Sequence, residues 1–159
     1  MTKDTERQIV QHLEQEFSEL IKSLKDLARS VPTELLYRHP PVVSVGENIL
    51  RSAAVVEQTC GGLTSNLWDD PFEWTLPETL SNPDRIVEYL SEVDAARQRA
   101  FSSIQDDSAL TKYISDPNGE RLLISLLIET LIKAAEFRGR AGAIIQPRAA
   151  TEGRPYSTY

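Results

Sequence analysis

Apolar residues recur at helical spacing in four stretches of this chain. In the first, Ile9, Leu13, Phe17, Leu20, Leu24 and Leu27 follow one another by steps of three and four. That spacing lines one face of an α-helix. The pattern predicts helix 1 from Met1 to about Ser30, with Glu6, Glu14, Glu19, Lys22 and Lys25 on the solvated faces. Val31-Pro32 ends it, because proline restricts the residue before it and supplies no backbone donor. Helix 2 opens at Ser44, where Ser44-Val45-Gly46-Glu47 has the capping-box form. Its inward stripe is Val45, Ile49, Ser52, Ala53, Val56, Cys60, Leu63 and Leu67. Helix 3 opens with Asn82 as N-cap, Pro83 in the first helical position and Asp84 in the first turn. Ile86, Tyr89, Leu90, Val93, Ala96, Ala100 and Ile104 line its inner face.

The fourth stretch, Glu120 to Ile145, is the longest and the most apolar. Leu122, Leu126, Glu129, Thr130, Lys133, Phe137 and Ile144 fall within an arc roughly 100° wide, and that arc is expected to face the interior. The opposite surface is apolar as well, through Ile124, Ile128, Leu131 and Ala135. A helix apolar nearly all round is either central or covered by a second chain. Helix 4 is expected to end before Pro147, leaving residues 147–159 as a flexible tail and residues 1–146 as the folded domain.

Between the helices the punctuation is clear. Thr33 to Val43 is a connector, with His39 beside two prolines. Trp68 to Asn82 is a long loop whose Trp68, Phe72 and Trp74 either pack on the bundle end or cover a pocket. Gln105 to Gly119 is a loop in which Leu110, Tyr113 and Ile114 suggest a helical turn, before the turn Asp116-Pro117-Asn118-Gly119. No strand-like alternation and no internal repeat stand out. The expected fold is all-α, an antiparallel four-helix bundle.

Composition narrows the partners. The 159 residues hold 17 basic and 24 acidic side chains, a net charge of −7. That disfavours nucleic acid and anionic membrane surfaces. The apolar run Leu122 to Ile128 is too short for a membrane span. A single cysteine, Cys60, forms no disulfide within the chain and suits a reducing compartment. With a charged N-terminus and no secretory pattern, a cytoplasmic location is expected.

Chemistry-bearing motifs are sparse. There is no Gly-rich phosphate loop, no H-E-x-x-H and no C-x-x-C. Only His12 and His39 are present, which limits any imidazole metal site. His12 reads as a surface or edge residue and Cys60 as a small core residue. Asp69-Asp70 and Asp106-Asp107 read as solvation or helix-end charge. Glu129 and Lys133 stand at i and i+4, acid first, the favourable order for a pair. They are either an ion pair at the edge of the core or the lining of a polar cavity within it.

Three segments together resemble the DinB-like (YfiT-like) family of four-helix bundles. These are SVGENILRSAAVVE on helix 2, the tryptophan-bearing loop, and Glu136-Phe137-Arg138-Gly139-Arg140, which is similar to that family's H-R-G-Q ending. The resemblance implies a divalent metal, zinc or nickel, held by three histidines. One would lie on helix 2 and two on helix 4. Those positions fall on Ser52, Lys133 and Phe137, none of which is a histidine. A serine, a lysine and a phenylalanine do not bind such a cation. The expectation is therefore a family member without metal or other cofactor. Ser52, Glu129, Lys133 and Phe137 would form a candidate pocket, with the Lys133 ammonium standing in for the ion and Glu129 and Ser52 holding it. Three functions follow: a non-catalytic small-molecule-binding or stress-associated protein, a thiol-dependent transferase or isomerase, and a structural homodimer joined through helix 4.

Overall fold

The computed structural model describes residues 6–38, 43–73 and 78–153. His39, Trp74 and Pro77 lie outside them, as do the first five residues and the last six. Four helices carry the fold: α1 (Gln8–Ser30), α2 (Val45–Ser65), α3 (Pro83–Ser102) and α4 (Leu123–Gly153). A two-stranded antiparallel sheet of β1 (Tyr113–Asp116) and β2 (Gly119–Leu122) precedes α4.

The helix starts follow the sequence signals. Ser44 Oγ accepts from Glu47 N at 3.1 Å, and Asn82 Oδ1 accepts from Arg85 N at 3.0 Å. These bonds occupy amides that have no partner within the helix. The start of α1 is capped from far along the chain. Asp107 accepts from Ile9 N and Val10 N with its two carboxylate oxygens, at 3.1 and 3.0 Å. Asp106 caps the following 3-10 turn through Ala109 N. Both acids are thus helix-end charges.

Contacts fix the helix directions. Arg7 donates to Phe101 O and Ile104 O, and Arg97 pairs with Glu14, so α1 and α3 run antiparallel. Ser52 bonds Ala134 and Thr59 bonds Thr130, so α2 and α4 do too. Yet α2 and α3 start at the same end, where Tyr37 beside Gly46 donates to Leu80 O at 2.6 Å. They finish together where Leu63 and Ile104 share a hollow. They are parallel neighbours. Arg138 on α4 reaches Ser23 on α1, and those two helices also run the same way. The expectation of antiparallel neighbours throughout is corrected here. The 21 residues of α2 rise about 30 Å, and the segment 66–82 is long enough to return along that whole length.

Four further expectations change. The segment 113–122 is a hairpin, not a helical turn. Pro117 and Asn118 form its tip, Asn118 N donates to Asp116 Oδ1 at 2.7 Å, and Gly119 has a φ of 120° that suits glycine. Helix α4 consequently begins at Leu123, three residues later than its apolar pattern suggests. It also continues through Pro147 to Gly153. Leu67, placed on the inward stripe of helix 2, is exposed, because Asn66 takes a left-handed conformation and ends the helix before it.

The core is formed by Val10, Phe17, Leu20, Ile21 and Leu24 of α1, Ile49, Leu50, Ala53 and Val56 of α2, Ile86, Leu90, Val93 and Phe101 of α3, and Leu123, Leu127, Ala134 and Ala141 of α4. Phe17 and Phe101 meet with ring centroids 5.3 Å apart, a favourable aromatic pairing. Burial of this apolar surface is the main stabilising term.

Candidate functional site

The four residues singled out on the sequence are divided by the fold. Ser52 is fully buried on α2, and its hydroxyl donates to Ala134 O on α4 at 2.6 Å. That contact is closed. Lys133 does not face inward: its side chain is 58% exposed and its Nζ lies 2.8 Å from Glu129 Oε1. Phe137 lines a different hollow, toward the other end of the same helix pair. The buried stripe of α4 is Leu123, Leu126, Leu127, Thr130, Ala134 and Ala141; it keeps Leu126 and Thr130 of the expected arc and turns away from Glu129, Lys133 and Phe137. The reason is physical. The Ser52 hydroxyl reaches the Ala134 carbonyl, so α2 and α4 approach closely where α4 carries a small side chain.

Glu129 and Lys133 do share a cleft, of about 350 Å³. One wall is Val55 and Gln58 of α2, another is Trp68, and the hairpin tip closes one end. Thr59 and Thr130 form the floor, their hydroxyls 2.6 Å apart and buried. Trp68 is seated where Gly62 lacks a side chain; a Cβ there would collide with the indole ring. Gln58 Nε2 donates to Trp68 O at 2.8 Å, and the indole N–H donates to Asn66 Oδ1 at 3.0 Å. The Trp68 position is therefore fixed by packing and hydrogen bonds together.

Charges alternate along the rim. Asp116 accepts from Arg121 at 3.3 Å, Arg121 also pairs with Glu129, and Glu129 pairs with Lys133. Hydrogen bonding from Lys133, followed by that from Arg121, holds the Glu129 carboxyl below its ordinary range. The rim is neutral in sum; the Glu129–Lys133 pair is about half exposed and contributes little to stability on its own, while the Asp116 side chain is buried against Arg121. Its structural effect is to tie the hairpin to α4.

A second polar group was not legible as a unit in the sequence. Tyr89 on α3 donates to Glu57 on α2 at 2.5 Å. Burial raises the Glu57 carboxyl above its ordinary value and pushes the Tyr89 hydroxyl far above its own. Burial also pushes the neighbouring Cys60 thiol up to about 12, which leaves it without nucleophilic thiolate. Arg97 is buried and held by Asp94 at 2.9 Å and Glu14 at 2.9 Å. Its position, four residues after Val93 and three before Ala100, was the signal that it lies on the inner face.

Ser52, Lys133 and Phe137 do not together offer a donor set for a divalent cation. The Ser52 hydroxyl is committed to a carbonyl, Lys133 is cationic, and Phe137 has no donor atom. Among the described residues, no group of three or more His, Cys, Asp or Glu side chains is placed to hold a metal. Nor is any described helix long and apolar enough to cross a membrane.

Over the described residues, fold and site together define a mostly helical protein, with four α-helices, one small hairpin and a charged cleft beside the α2–α4 seam. Compared with family models, curated proteins and solved structures, the chain finds no match in any of the three.

Proposed function

We propose that this protein is a non-catalytic, small-molecule-binding four-helix bundle of the DinB-like kind, in which the Glu129–Lys133 ion pair stands near the place of the relatives' metal. The observation that carries this reading is the cleft itself. It combines an aromatic wall, a hydrogen-bonding floor and convergent polar groups at Gln58, Asn118 and Lys133, the composition expected of a small-ligand site. Because the rim charges cancel, the ligand it suits is a small polar molecule that is neutral or zwitterionic.

An NMR titration against a panel of such metabolites tests the proposal. At least one is expected to shift the Gln58, Asn118 and Lys133 signals together, and Lys133→Met is expected to weaken that ligand about tenfold, or 1.4 kcal/mol. A panel that moves none of these signals rejects the cleft as a binding site. Metal analysis of the purified protein is a separate check: no stoichiometric zinc or nickel is expected, and either metal bound beside Lys133 would contradict the substitution of the ion by an ammonium.

A homodimer is the second reading, favoured by Ile128 and Ile132, one turn apart on α4 and 43% and 62% exposed. Ile124, Leu131 and Ala135 would extend this face. Sedimentation is expected to give a dimer that Ile132→Glu dissociates; monomer at every concentration rejects it.

A further inference from the structure

The described residues enclose a second and larger hollow, about 760 Å³, toward the opposite end of the α2–α4 seam. Its apolar surface comes from Val43, Phe137, Ala143 and Ile144. Phe137, Arg140 and Ile144 are spaced by three and four, so one face of α4 supplies most of the wall. Asn48 also borders it, but its amide nitrogen is spent on Val43 O and Ser44 O. The cationic groups at this hollow are the guanidinium ions of Arg51 and Arg140.

Both are held by aromatic rings. The Arg51 guanidinium lies 4.1 Å from the centroid of Phe72, and that of Arg140 lies 5.2 Å from the centroid of Phe137. A guanidinium stacked on a ring keeps its in-plane N–H donors free for another partner. Arg51 has no carboxylate within ion-pair distance among the described residues. Arg140 pairs only with Glu136, at 3.2 Å and with both side chains more than half exposed, a contact that a ligand anion displaces at little cost. The protein as a whole carries −7 and does not attract anions by its overall field. Two arginines at the edge of an apolar hollow are thus a local feature directed at one kind of molecule.

We infer that this hollow binds a monoanionic amphiphile, an apolar alkyl or aryl body ending in a carboxylate, with the body against Phe137 and Ile144 and the anion between Arg51 and Arg140. This goes beyond the cleft at Glu129 and Lys133 and does not depend on it.

The probes are octanoate, 1-octanol and acetate, each titrated into the full-length protein and followed by NMR. Octanoate is expected to shift the signals of Phe137, Ala143 and Ile144. It is expected to bind at least tenfold more tightly than octanol, and acetate is expected not to bind. Arg51→Met and Arg140→Gln should each weaken octanoate about tenfold and leave octanol unchanged, while Ala143→Trp should remove both. Circular dichroism confirms that each variant is folded. Equal affinity for octanoate and octanol overturns the role of the arginines, and acetate binding as tightly as octanoate overturns the role of the apolar wall. The absence of any octanoate shift in the unmodified protein overturns the site itself. Failure here leaves the Gln58, Asn118 and Lys133 signals free to respond to their own ligand, so the two results are separable.

Discussion

Glu57 sets a pH dependence that a surface carboxylate would not. Its folded-state pKa lies above the ordinary 4.5 because burial penalises the charge, an effect that the Tyr89 hydrogen bond only partly offsets. The sign follows from proton counting. Below 4.5 both folded and unfolded states keep the proton. As pH rises past 4.5 the unfolded chain loses it first, so the folded state binds more protons and stability falls until Glu57 ionises there too. Glu57→Gln removes that penalty and keeps a hydrogen-bond acceptor for Tyr89. In urea unfolding the variant is expected to be more stable than the parent at pH 8, by a margin that shrinks towards pH 4. Glu129 acts in the opposite sense, since its lowered pKa adds stability at neutral pH that is lost on acidification. At Arg97 the prediction is a loss: Arg97→Met leaves Asp94 and Glu14 without their cation, costing about 2–3 kcal/mol in the same assay, less than for a fully buried pair because both acids keep some solvent.

Among the elements, α1 depends on a residue nearly one hundred positions away. Asp107→Ala removes both carboxylate bonds to the first turn of α1 and is expected to lower stability by about 1–2 kcal/mol. Amide exchange should accelerate first at Ile9 and Val10. Gly46 marks a second tight place. A Cβ there would stand 2.8 Å from the Leu36 carbonyl oxygen and would also strike the Tyr37 ring. Gly46→Ala is therefore expected to destabilise by about 1–3 kcal/mol, as overpacking does, and loss of the thermal unfolding temperature will show it.

The same elements show what sequence pattern carries. The starts of α2 and α3 were legible because Ser44, Asn82 and Pro83 act through local chemistry. The hairpin was not, because four-residue strands with Tyr113 exposed and Ile114 half-buried are too short to display an alternation. The rotation of α4 was hidden for another reason. One close contact with α2 is marked by Ser52 and Ala134, residues that weigh little in any hydropathy pattern. The sequence pattern places Ser52, Glu129, Lys133 and Phe137 in one inward-facing pocket; their separation into a closed contact, a cleft and an apolar hollow depends on that rotation.

For the whole molecule, helix order matters more than helix content. Only one pair of consecutive helices, α2 and α3, packs extensively side by side, while α1 finds its main partners in α3 and α4. No spacing rule within a helix reveals this, because it depends on how the long connections run. Its consequence appears during synthesis. A nascent chain that has left the ribosome only as far as α2 presents Phe17, Leu20 and Leu24 to water, since the surface that covers them, around Val93 and Phe101, has yet to be made. Fragments ending before Pro83 should therefore aggregate or recruit chaperones, because they lack both α3 and α4, on which α1 and α2 mainly pack.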